Sequence, residues 1–143
     1  MPGPTITNPQ GAYGYSDLQT KLGSFTVAAK ASAAITGPVV VALGTDGTVA
    51  LAATDGTASL SRGVVLETVA SGDSCLVIVG GIAENVPVDG ATTAGAVLKR
   101  SVTTAGSLAS TATPAAGESL AISLAASASN TADVWVVGLG VSV

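Results

Sequence analysis

Val39-Val40-Val41-Ala42-Leu43-Gly44-Thr45-Asp46-Gly47-Thr48-Val49-Ala50-Leu51 is the stretch that decides the fold class. Two short runs of β-branched and small apolar residues flank a turn built on Asp-Gly. Such runs suit a pleated, half-buried surface, and Asp-Gly between them is a hairpin signal because the tight turn needs positive φ at its two central residues. The same grammar continues downstream. Apolar runs at 63–69, 75–79, 82–88, 96–102, 119–125 and 134–143 are separated by Ser71-Gly72-Asp73-Ser74, Asp89-Gly90, Thr103-Thr104-Ala105-Gly106-Ser107 and Ser129-Asn130-Thr131. Many short strands with turn signals between them, and no long run of helical period, predict an all-β barrel or sandwich. Residues 31–34 and 120–126 are rich in alanine, and the second stretch leaves room for one short helix.

Two of these runs, Cys75-Leu76-Val77-Ile78-Val79 and Val134-Trp135-Val136-Val137, are apolar at consecutive positions. A strand with one wet face would alternate, so both runs are expected to be covered on both faces, by the core and by a second layer or a neighbouring subunit. Trp135, Val136 and Val137 are therefore expected in core or oligomer packing, with Trp135 buried. Cys75, the single cysteine, is expected to be a buried small hydrophobe.

Composition narrows the function. The 143 residues contain no histidine, four aromatics and only 10% charged residues, against 48% hydrophobic. Groups that move protons, hold metals or stack on bases are scarce, and no cofactor is implied. The net charge of −4, with Lys21, Lys30, Arg62, Lys99 and Arg100 scattered, argues against binding nucleic acid, which takes clustered cations. The Lys99-Arg100 pair reads as a solvated basic point. No apolar run approaches the roughly 18–20 residues that span a bilayer, so no membrane partner is expected. The amino terminus shows no basic region leading into an apolar one, so no signal peptide is expected. The two Thr-Asp-Gly-Thr copies at 45–48 and 54–57 are read as turns, since a calcium-binding roll needs more glycines and more tandem copies. Lys99 and Ser101 share one side of a strand, the crudest requirement for a Ser–Lys pair, in a chain where hydroxyls are abundant. The expectation is that the protein is not an enzyme.

Residues 1–24 differ from the rest. Pro2, Pro4 and Pro9 with Gly3, Gly11, Gly14 and Gly23 oppose regular structure, so this stretch is read as an extended arm preceding a β-rich domain at 25–143. Tyr13 and Tyr15 lie in the arm and Phe25 at its root. With Leu18 and Leu22, these are the candidate partner-binding residues.

The succession of Gly37-Pro38-Val39-Val40-Val41, Arg62-Gly63-Val64-Val65, Gly72-Asp73, Gly80-Gly81-Ile82-Ala83, Ala94-Gly95-Ala96-Val97-Leu98, the turn at Gly106 and a final Val-rich strand resembles the decoration, or cement, proteins of tailed-bacteriophage capsids. The resemblance covers about three quarters of the chain and excludes the arm. It implies a compact β-barrel or β-tulip domain that sits as a homotrimer on the outer surface of the virion. It also implies binding to the major capsid protein, cementing neighbouring subunits against internal DNA pressure. A second expectation is a receptor- or glycan-binding module of a virion fibre or cell-surface protein, for which Tyr13 and Tyr15 would supply the aromatic platforms.

Overall fold

The computed structural model describes residues 24–54, 61–115 and 119–137. The fold is all-β. Nine strands appear in chain order: β1 (Phe25–Lys30), β2 (Val39–Leu43), β3 (Val49–Leu51), β4 (Ser61–Val65), β5 (Ser74–Pro87), β6 (Val97–Arg100), β7 (Leu108–Ser110), β8 (Ser119–Ser123) and β9 (Thr131–Val136). They form one curled antiparallel sheet, a half-barrel, in the order β3-β2-β4-β5-β9-β8-β6-β7, with β1 pairing only with β5. No helix occurs among the described residues. The alanine-rich stretch that left room for one instead forms β8, where Leu120, Ala121 and Ser123 are buried and Ala121 pairs with Val136. Burial within a sheet outweighs the small intrinsic preference of alanine for a helix.

The hairpin at 39–51 is present, with Leu43 opposite Val49. Its loop is longer than a two-residue turn, and only Gly47 has positive φ, at 82°. Asp46 stabilises the loop by accepting hydrogen bonds from the Thr48 amide (3.1 Å) and the Thr48 hydroxyl (2.6 Å). The second Thr-Asp-Gly-Thr copy lies largely outside the described residues.

Two runs expected as separate strands, 75–79 and 82–88, are largely one. β5 is 14 residues long and passes through Gly80-Gly81 without stopping. Its first half pairs with β1 and β4, its second half with β9. Gly81 sits at φ 99°, a conformation open to glycine and costly for other residues, at the point where β5 passes from its β1 and β4 pairings to its β9 pairing.

Two apolar clusters result. The larger includes Val40, Val64, Ile78, Ala83, Val86, Leu98, Leu108, Leu120, Val134 and Val136. The smaller holds Ala31, Ile35, Val41, Val49, Val65, Val69, Cys75 and Val77. β2, β4 and the first half of β5 thus contribute to both; Val77 and Ile78 are buried on opposite faces as the apolar run at 75–79 predicted, whereas Leu76 is exposed. The second cluster is roofed by the segment after β1. Ala31 donates to the Asp73 carbonyl (2.9 Å), Ser32 to Val49 (2.9 Å), and Ile35 and Val69 exchange two bonds of 2.8 Å. The ends of the sheet approach at Gly106, whose amide donates to Ala52 (2.9 Å) and whose carbonyl accepts from Val40 (2.8 Å).

Candidate interaction surface

β9 carries an inside and an outside. Ala132, Val134 and Val136 are buried, while Asp133 and Trp135 are exposed. Val136 is in the core as expected, and Val137 is half-buried. Trp135 departs from expectation, with 53% of its surface exposed. Among the described residues only one face of β9 is covered. The alternation that reveals this begins at Asp133, two residues before Trp135 and therefore on the same face. A charge at that register was the signal to read.

On the outer face Trp135 pairs with Ile82 of β5 and with Ile122 of β8, and Ile122 pairs with Val97 of β6. Ile82, Ile122 and Val97 are each half-buried. The four make an apolar strip across four neighbouring strands, about 14 Å at the usual spacing. Polar groups bound it. Asp133 accepts a bond from the Asn85 amide (3.0 Å) beside exposed Glu84, and Lys99 lies two residues beyond Val97.

β1 is the other unusual element. Five of its six residues are exposed, Phe25 at 77%. Phe25 pairs with Gly80, and a Cβ built on that glycine would lie 3.9 Å from the Phe25 side chain. Phe25 and Trp135 thus pair with positions two residues apart on β5. Both described aromatics are outside, and neither apolar cluster contains an aromatic ring. Tyr13, Tyr15, Leu18 and Leu22 lie outside the described residues.

The groups considered for chemistry are engaged in structure. Ser101 is fully buried. Its hydroxyl donates to Asp89 Oδ2 (2.7 Å) and accepts from the Thr103 (3.0 Å) and Thr104 (2.9 Å) amides. Its proton faces a carboxylate and its lone pairs face two amides, which leaves no orbital for attack on a substrate. The bond from Ser101, and after it a side-chain bond from Thr103, hold the Asp89 carboxyl below the usual range. Arg100 was expected in solvent with Lys99, yet it is only 2% exposed and is the largest of the fully buried side chains; Lys99 is half-buried. Alternation along β6 points the two neighbours to opposite faces. Cys75 is buried, as expected, and desolvation, followed by the charge of Glu67, pushes its thiol pKa up. Among the described residues no three His, Cys, Asp or Glu side chains are placed to hold a metal ion, and no helix is long and apolar enough to cross a membrane.

No protein-family description matches the sequence, and no curated protein matches it. In three dimensions the chain is similar to the head fiber gp8.5 N base of bacteriophage phi29. The TM-score is 0.50 at 12% identity, over 79% of this chain and 93% of that one. At that identity the likeness is one of fold.

Proposed function

We propose that this protein is a structural component of a tailed-phage virion. In this reading it binds the outside of the head and ties neighbouring major capsid subunits together. The observation that carries the reading is the likeness of fold to a phage head fiber base. Two features of the chain support it. Both described aromatics face outward and neither apolar cluster contains one, the arrangement expected where anchors serve an interface and not the fold. The hydroxyl best placed for chemistry is also committed to a turn. Attachment uses the N-terminal segment, with Tyr13, Tyr15, Leu18, Leu22 and Phe25 as contacts, and three copies associate at each site on the head. The resemblance to decoration proteins supports that copy number.

The test is co-sedimentation of the purified protein with heads of its phage, followed by thermal challenge of the heads. Saturable binding and a higher temperature of DNA release are expected. Binding without any gain in head stability would replace cementing by simple attachment, and no binding would defeat the proposal.

One observation favours the glycan-binding alternative more than the sequence did. Trp135 is exposed, with Asp133 on the same face, and an indole beside a carboxylate is a common sugar platform. A titration of Trp135 fluorescence with oligosaccharides separates the two readings.

A further inference from the structure

The outer strip Ile82–Trp135–Ile122–Val97 is apolar, crosses four strands and is left uncovered by the described residues. We propose that it is the seat of this chain's own N-terminal segment, residues 13–22, with Tyr13 and Tyr15 lying on the strip beside Trp135.

Where the described chain begins is the first argument. Ser24 precedes Phe25, which pairs with Gly80, two positions along β5 from Ile82, the first residue of the strip. The described chain thus begins beside the surface to be covered. Reach is the second. Tyr15 lies nine positions before Ser24, about 30 Å when extended, which is roughly twice the width of the strip. Chemistry is the third. Residues 13–22 hold the chain's other two aromatics, with Leu18 and Leu22, and carry only Asp17 and Lys21 as charges. A tethered segment also meets its site at an effective concentration on the order of millimolar, which favours it over a second molecule at ordinary concentrations.

This goes beyond the attachment reading and is compatible with it. A ring laid on the strip buries one face and leaves the other outward, so the same tyrosines can meet a shell subunit from outside.

The test uses the only tryptophan as its own probe. Emission and acrylamide quenching of Trp135 are compared between the full chain, a chain lacking residues 1–23, and the Tyr13→Ser/Tyr15→Ser double variant. Far-ultraviolet circular dichroism checks folding, and native mass spectrometry gives the copy number. The full chain as a monomer is expected to emit to the blue of both variants and to be quenched about twofold less, since a stacked ring shields the indole. Equal emission and quenching in all three overturns the proposal. Protection seen only in oligomers and lost on dilution also overturns it, because the occupant is then a second copy. No capsid enters the measurement, so its outcome is separate from that of head binding.

Discussion

Val40 and Val41 are consecutive residues of β2, both fully buried, and they belong to different apolar clusters. Val40 sits opposite Val64 over the main core, whereas Val41 joins Val65, Cys75 and Val77 beneath the 31–35 segment. The sheet is thus an interior wall at this place. Replacing either valine with alanine removes two buried methyl groups and is expected to cost about 2 kcal/mol. The pair Val40→Ala/Val41→Ala should be additive to within about 0.5 kcal/mol, because the two side chains share no cluster. Val40→Ala/Val64→Ala should depart from additivity by more than that, because those two pack in one. Urea unfolding of the two double-mutant cycles checks this.

Neighbours on β9 should respond in opposite ways. Val136→Asp places an unpaired charge in the main core, and soluble folded protein is not expected. Trp135→Ser changes an exposed position and should shift stability by no more than about 1 kcal/mol. Circular dichroism and melting curves of both variants suffice. A folded Val136→Asp protein would contradict the one-sided burial of this strand.

Gly63 lies where β4 crosses β5. A Cβ there would meet the Ile78 carbonyl oxygen, and it would come within 2.8 Å of Val77 Cγ1. The obstacle is backbone, which cannot swing aside, so Gly63→Ala should destabilise the domain by about 3 kcal/mol or more. Gly72 has open space at the same position and positive φ, so Gly72→Ala carries only the conformational cost, about 1 kcal/mol. Comparative melting of the two variants tests the difference.

Asp89 links pH to stability. Its pKa is lowered in the folded state by Ser101, Thr103 and Thr104, so it contributes stability above its unfolded value of about 3.9, and loses that contribution as pH falls through the lower folded value. Asp89→Asn should melt below the parent at pH 7. The gap should narrow as pH drops below about 4. A gap that stays constant from pH 7 to pH 2 would mean the carboxylate is not what holds the 101–104 turn.

Cys75 is a clock for opening of the smaller cluster. Its buried thiol, with its pKa raised by desolvation, should resist thiol reagents in the folded protein and react at the rate of unfolding. Labelling as fast as in a denatured control would show that the 31–35 roof does not close.

The strands were legible because β-branched runs and Gly-Asp turns are local signals. The double coverage at 75–79 was legible only in part: Val77 and Ile78 are buried on opposite faces, but Leu76 is 49% exposed. Three features were not legible, for a common reason. Gly80-Gly81 reads as a stop and lies within one strand, because continuing β5 depends on β9, about fifty residues later. Trp135 reads as buried from its neighbours Val134 and Val136, and only the register set at Asp133 turns it outward. Arg100 reads as surface from its charge and lies inside because alternation along β6 puts it opposite Lys99. Each depends on a distant partner strand or on phase along a strand, not on composition. Of the arm residues read as partner contacts only Phe25 lies among the described residues, and the strip that Trp135 forms with Ile82, Ile122 and Val97 exists only once three separate pairings are made.

The position of β9 governs how the nascent chain can fold. It is the last described strand in sequence, yet it lies between β5 and β8 in the interior of the sheet. Until residues 131–136 have left the ribosome, Ile82 and Ala83 lack their partner strand, Ile122 is paired on its β6 side alone, and the main core has a gap where Val134 and Val136 belong. A chain without this strand therefore carries an open, aliphatic sheet, the kind of surface that exposes unpaired strand edges to aggregation. Sealing of the main core thus waits on the last described strand.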